Sequence, residues 1–221
     1  MKITGAIFDM DGTLADSLGF WDVLWEYLGE KYLNDKSFRP DPITAKGVRT
    51  STLYGAACLI HDNCKIGESR EAVSREFDEM LLRYYEERVE LKAGVLSFLE
   101  ELKKSGVKMC IASATSLHLL EVLMKKFDLC KYFDFILSCA EIGKGKEHPD
   151  VFTEAHKRLG TKKEDTWIFE DSVVAIETAV NAGYKTVGIY DKYNFGLDRV
   201  KEISTLYVGE GESLLKTLSN L

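Results

Sequence analysis

Phe8-Asp9-Met10-Asp11-Gly12-Thr13-Leu14 is the stretch that decides how the rest of the chain is read. The residues leading into it, Thr4-Gly5-Ala6-Ile7-Phe8, form a short apolar run of the kind that makes a buried strand. The run ends in two carboxylates two residues apart, and Gly12 permits a tight turn after them. The pattern then switches. Leu18, Trp21, Leu24, Trp25, Leu28 and Tyr32 recur at spacings of three and four, which predicts a helix over 17–32. Residues 33–43, with Asn34-Asp35, Pro40 and Pro42, read as a loop. Three more helices are expected near 43–48, 51–62 and 69–88, with no strand pattern between about 16 and 90.

From Ala93-Gly94 onward, helices and apolar runs alternate. Helices are expected over 94–105, 116–127, 149–159 and 172–182, and strands over 107–112, 135–138, 166–169 and 185–190. A last strand at 205–208 precedes a final helix at 212–219. Gly106, Gly160 and Gly183 stand where helices should stop. Strands alternating with helices imply an α/β fold with a doubly wound parallel sheet. The helical block interrupts that alternation after the first strand, so it reads as an inserted all-helical cap. The expected division is 1–15 with 90–221 as the core, and 16–89 as the cap.

Bulk properties narrow the function. The 221 residues suffice for one core with an insertion, and 45% apolar with 29% charged residues is ordinary globular composition. The net charge of -7 argues against nucleic acid as a partner. It also means that an anionic substrate needs a metal or local positive charge to offset it. The five cysteines show no zinc-ligand spacing, which fits free thiols in a reducing cytosol. No basic start leads into an apolar run, and no run is long enough for a membrane span. A cytoplasmic protein, monomeric or weakly dimeric, is expected.

Ligands of such sheets bind beyond the carboxyl ends of the strands. Asp9 and Asp11 follow the first expected strand, and Ser113 and Thr115 the second. Lys144 and Lys146 lie near the third, and Glu170 and Asp171 follow the fourth. Close carboxylates repel, and Mg²⁺ relieves that repulsion. Asp171 would add a third oxygen ligand, and Glu170 could hold a metal-bound water. A lysine would offset phosphoryl charge, while the Ser113 hydroxyl and nearby backbone N–H groups, including that of Ala114, would bind phosphoryl oxygens. Asp9 would attack phosphorus, and Asp11 would move the protons.

These stretches resemble the four motifs of the haloacid dehalogenase superfamily. Residues 8–14 resemble the first, Ala112-Ser-Ala-Thr115 the second, Lys146-Glu-His-Pro-Asp-Val-Phe152 the third, and Ile168-Phe-Glu-Asp-Ser172 the fourth. The insertion resembles the helical C1 cap of the branch containing phosphoglycolate phosphatases and β-phosphoglucomutases. The resemblance implies a Rossmann-like core and a Mg²⁺-dependent phosphatase acting on a small phosphorylated metabolite. It also implies Asp9 as nucleophile and metal ligand, and Asp11 as acid/base with its backbone carbonyl on the metal. Ser113 and Lys146 become phosphoryl binders, Asp171 a metal ligand and Glu170 a metal-linked carboxylate.

Departures from the motifs refine this. Lys144 and Lys146 compete for the lysine role, and spacing to Pro149-Asp150 favours Lys146. β-Phosphoglucomutases carry a histidine shortly after the first motif; the matching residue here is Trp21, and 16–60 contains no histidine. They also carry a lysine just after the second motif, where this chain has Thr115-Ser116-Leu117-His118. Both absences favour hydrolysis over the alternative, a phosphosugar mutase. Arg49 is read either as a substrate contact or as a solvated surface residue, and Trp21 either as cap core or as pocket lining.

Overall fold

The structure, a computed structural model, describes residues 3–221. Its contacts divide the chain into two compact units. One comprises the chain up to Leu18 together with Val89–Leu221, and the other is Gly19–Arg88. In the first unit β1 (Gly5–Phe8) leads into the Asp9 loop, followed by β2 (Ala15–Asp16). The second unit holds α1 (Phe20–Leu28), α2 (Pro42–Thr50), α3 (Leu53–Cys64) and α4 (Arg70–Glu87). The chain returns at β3 (Glu90–Leu91) and continues through α5 (Val95–Lys104), β4 (Lys108–Ser113), α6 (Leu117–Lys126) and β5 (Phe135–Ser138). It ends with α7 (Cys139–Ile142), α8 (Asp150–Leu159), β6 (Thr166–Glu170), α9 (Val173–Asn181), β7 (Lys185–Ile189), α10 (Leu197–Ile203) and β8 (Leu206–Val208).

The main sheet has the order β5-β4-β1-β6-β7-β8, and every neighbouring pair is parallel. The winding direction reverses beside β1, the place where doubly wound sheets bind ligands. Alternate residues of the central strands cover opposite faces. Ile7 is level with Cys110 and Ile168, and these pack with Val151, Phe152 and Ala155 of α8. Phe8, one residue on, stacks on Phe169 at 4.3 Å between ring centroids and meets Phe98 and Phe133 edge-on. Both faces are therefore covered, which is why the strands read as continuous apolar runs.

The helical unit has its own core. Phe20, Leu24, Trp25 and Leu28 of α1 gather with Val48, Ala56, Ile60, Val73 and Phe77. Three of its helices, α2, α3 and α4, start on side-chain caps. Asp41 accepts from the N–H groups of Ile43 and Thr44, Thr52 from that of Gly55, and Ser69 from that of Ala72.

The expected elements and the structure differ in a few places. The helix expected over 17–32 is α1 followed by a π-turn at Gly29–Leu33. There the backbone of Asp35 packs so closely on Gly29 that a Cβ would meet its carbonyl oxygen at 2.2 Å. A short antiparallel pair, Ala15↔Leu91 and Asp16↔Glu90, stands at the two edges of the segment read as strand-free. This pairing keeps residues 16–18 with the sheet unit, so the helical unit is shorter than the expected 16–89. The final segment is a 3₁₀ helix at Leu214–Asn220, and α7 and α10 have no counterpart in the sequence pattern. Both are short, seven residues or fewer, and give little periodicity to read.

Candidate active site

The sheet delivers the motif residues to one place. Asp9 follows β1, and its N–H donates to the Phe169 carbonyl of β6 at 3.0 Å. Phe8 is level with Phe169, so Glu170 is level with Asp9, and Asp171 comes next. One carboxylate oxygen from each of Asp9, Glu170 and Asp171 lies within 4.8 Å of the others, and all three residues are buried. Lys146, on the segment before α8, reaches into this group. Its Nζ is 2.7 Å from Asp9 Oδ1 and donates to Glu170 Oε1.

Lys144 does not join them. Its ammonium pairs with Asp150 at 2.6 Å with more than half of its side chain exposed, so geometry separates the two competing lysines. Glu170 also fixes the start of α9. Its Oε2 accepts from the N–H groups of Asp171 and Ser172, each at 2.8 Å.

Electrostatics shows what the cluster needs. Burial pushes the Glu170 carboxyl up, and the Asp9 charge adds to this, against the pull of Lys146. Burial also pushes Asp171 well above the carboxylate range, reinforced by Glu170 and Asp9. Burial alone would lower the Lys146 ammonium, but Asp9 and Glu170 reverse this and hold it above the ordinary lysine range. Three carboxylates are thus gathered around one ammonium that pairs with two of them. A hard divalent cation taking oxygen ligands fits this donor set and would supply the missing positive charge.

The Asp11 carboxylate lies outside this trio. It accepts from Ser17 Oγ at 2.6 Å and from Thr115 Oγ1 at 2.7 Å. Ser113, at the end of β4, is buried, and its Oγ accepts from the Thr115 N–H at 3.2 Å. Ala114 beside it is exposed. Gly12 does more than turn the chain. With φ of 76°, it packs against Asp171 so closely that a Cβ would meet Asp171 Oδ2 at 2.2 Å. Thr13, read as a turn residue, donates its hydroxyl to Asp171 Oδ1 at 2.9 Å.

Sequence reasoning missed Asn194, whose Nδ2 donates to Asp171 Oδ2, and the ion pair of Lys92 with Asp191 at 2.9 Å. The signal was available, because Asp191 and Asn194 follow the fifth expected strand just as the motif residues follow the first four. In the helical unit the Arg49 guanidinium lies 5.8 Å from the centroid of the Trp21 ring, so the two residues read separately form one cation–π pair.

Comparison with known proteins agrees with this fold. The chain is 26% identical over 216 residues to the phosphorylated carbohydrates phosphatase of Thermotoga maritima, covering 97% of this chain and 98% of that protein. It is 30% identical over 176 residues to hexitol phosphatase B of Escherichia coli K12, covering 78% and 77%. The crystal structure of a candidate β-phosphoglucomutase from Thermotoga maritima superposes over 100% of both chains with a TM-score of 0.79 at 24% identity, a likeness of fold. The profile of the haloacid dehalogenase-like hydrolases matches residues 6–189, a span that carries all four motifs, and the chain belongs to that family.

Proposed function

We propose that this hydrolase is a Mg²⁺-dependent phosphatase that cleaves a small phosphomonoester, a sugar or polyol phosphate, through an aspartyl-phosphate on Asp9. The observation that carries this reading is the placement of the Lys146 ammonium against Asp9 and Glu170, beside Asp171. This grouping supports the reading because a carboxylate able to attack, an ammonium able to hold phosphoryl oxygens and hard oxygen donors stand at one point of the sheet. The names of the two curated relatives, a phosphorylated carbohydrates phosphatase and a hexitol phosphatase, support the substrate class.

In this mechanism an Asp9 oxygen bonds to phosphorus while the ester P–O bond breaks, and Asp11 gives its proton to the departing oxygen. Water then attacks the aspartyl-phosphate, Asp11 accepts its proton, and phosphate leaves with the Asp9 carboxylate restored. Lys146, the Ser113 hydroxyl and the backbone N–H of Ala114 hold phosphoryl oxygens. Mg²⁺, held by Asp9, Asp171 and the Asp11 carbonyl with Glu170 in support, would neutralise charge between nucleophile and phosphoryl group. The hydroxyls of Ser17 and Thr115 keep Asp11 oriented for both proton transfers. The helical unit is read as the cap that selects the substrate.

Asp9→Asn tests the reading. It removes the nucleophile while preserving size, and turnover should fall by about a thousandfold or more with an unchanged circular dichroism spectrum. Full phosphatase activity in Asp9→Asn would overturn the assignment. A panel of sugar and polyol phosphates assayed with Mg²⁺ should show phosphate release, and no interconversion of sugar 1- and 6-phosphates.

A further inference from the structure

The Asp171 carboxylate is held by two side-chain donors, and one of them comes from outside every motif. Its Oδ1 accepts from Thr13 Oγ1 at 2.9 Å. Its Oδ2 accepts from Asn194 Nδ2, which also reaches the Asp171 carbonyl at 3.3 Å. Both donors are neutral, so neither offsets the charge of the ionised carboxylate, and each oxygen keeps a lone pair for a cation.

The loop that carries Asn194, between β7 and α10, is itself pinned. Asp191 is buried, with 4% exposed. Its Oδ1 accepts from the Tyr193 N–H and its carbonyl from the Asn194 N–H, each at 3.0 Å. Its Oδ2 pairs with Lys92 Nζ at 2.9 Å, and the same ammonium donates to the Tyr190 carbonyl at 2.8 Å. The backbone N–H of Lys92 in turn donates to the Leu14 carbonyl at 2.8 Å. Leu14 adjoins Thr13, so the contacts form a closed ring: Thr13, Asp171, Asn194, Asp191, Lys92 and Leu14. A buried carboxylate beside two others is pushed away by them, and a ring of this kind opposes that displacement without adding positive charge to Asp171 by direct contact.

We propose that Asn194, placed by the Lys92–Asp191 ion pair, is a positioning residue that presets the Asp171 carboxylate for a divalent cation and thereby sets the affinity for Mg²⁺. This rests on reading the cluster as a Mg²⁺ site. Outer partners of a metal-ligating carboxylate typically control affinity by about ten- to a hundredfold, because they remove the freedom the ligand would otherwise lose on binding. Asn194 acts directly on the carboxylate, whereas Lys92 acts one step removed, so the second should matter less.

Calorimetric titration of Mg²⁺ into the purified full chain tests this. Asn194→Ala should raise the Mg²⁺ dissociation constant about tenfold or more, and Lys92→Met should raise it by a smaller factor in the same direction. In turnover assays the Mg²⁺ concentration for half-activation should rise in parallel, the substrate KM should stay put, and excess Mg²⁺ should restore kcat. A merely structural role would lower kcat at every Mg²⁺ concentration. If Asn194→Ala fails to fold, Lys92→Met alone decides the matter. Parent-like Mg²⁺ affinity, within twofold, in the folded variants overturns this inference and leaves the phosphatase reading standing. A parent protein that takes up no Mg²⁺ overturns both.

Discussion

The sheet unit carries buried ion pairs as well as exposed ones, whereas the arginine pairs of the helical unit stand in water. In the sheet unit Lys146 and Lys92 meet their partners below the surface, where the side chains of Asp9, Glu170 and Asp191 are 10%, 1% and 3% exposed. In the helical unit the pairs Arg70–Asp62 and Arg39–Glu26 keep between 40% and 53% of each side chain in water. The interior of that unit is built on rings. Phe20 stacks on Phe77 at 5.6 Å, and Trp21 and Tyr84 meet them edge-on. Burying an ion costs several kcal/mol unless partners compensate it, so buried charge marks the place where a fold serves chemistry before stability. Exposed pairs carry no such message.

The largest break in this comparison should come from Lys146→Ala. It leaves Asp9, Glu170 and Asp171 buried together, with the ammonium that pairs with Asp9 and Glu170 gone. Removing one partner of a buried charge cluster costs roughly 4 kcal/mol, and losing a phosphoryl-binding cation costs about a hundredfold or more in kcat. Urea denaturation should show the loss of stability in EDTA, with Mg²⁺ recovering part of it. If the variant is as stable as the parent in EDTA, the cluster is not electrostatically frustrated and the contrast between the units fails.

Phe77→Ala is the matching change in the helical unit. Phe77 is 3% exposed among Phe20, Trp21 and the α1 leucines, and its loss leaves a cavity costing about 3 kcal/mol. Mg²⁺ affinity should not change, because every member of the acidic cluster lies in the sheet unit. A calorimetric titration that shows weakened Mg²⁺ binding in Phe77→Ala would tie the metal site to the helical core.

A smaller, graded effect is expected from pH. Glu170 and Asp171 hold their protons more tightly folded than unfolded. Above about pH 4, where unfolded carboxylates ionise, these two residues therefore bind more protons in the folded chain than in the unfolded one. Stability in EDTA should fall as pH rises from there through the raised folded values, since stability falls wherever the native state is the better proton binder. Mg²⁺ favours the ionised carboxylates and should flatten the fall. Urea midpoints at pH 5 and pH 8, with EDTA and with Mg²⁺, check this, and identical slopes in the two conditions would refute it.

The same division explains what the sequence made legible. The sheet unit was readable because buried parallel strands are short apolar runs and because their ends carry polar or charged residues that a sheet has no structural need for. Asp9, Ser113, Lys146, Glu170 and Asp171 all stood out on that ground. Asn194 shared that position after the fifth expected strand, but a neutral amide stands out less than a charge, and Lys92 follows a strand of only two residues, so their contacts are what bring both into view. Lys144 and Lys146 likewise differ in reach, and of the two Lys146 is the one whose ammonium meets Asp9. The π-turn after α1 was hidden because its cause is the approach of Asp35 to Gly29, and helical periodicity continues straight through it.

The smallest effect sharpens the comparison from its other side. Arg70 forms a two-pronged contact with Asp62, Nε to Oδ1 at 3.1 Å and Nη2 to Oδ2 at 2.7 Å, the best ion-pair geometry in the helical unit. If geometry alone made an ion pair valuable, Arg70→Ala should approach the cost of Lys146→Ala. Both partners stand in water, however, and water solvates each charge almost as well as the partner does. Arg70→Ala should therefore leave Tm within about 2 °C of the parent at low salt, and molar salt should erase any difference, because the Debye length then falls to about 3 Å. A loss that survives molar salt would mean that Arg70 contributes through packing of its aliphatic stem, and charge would no longer be what separates the two units.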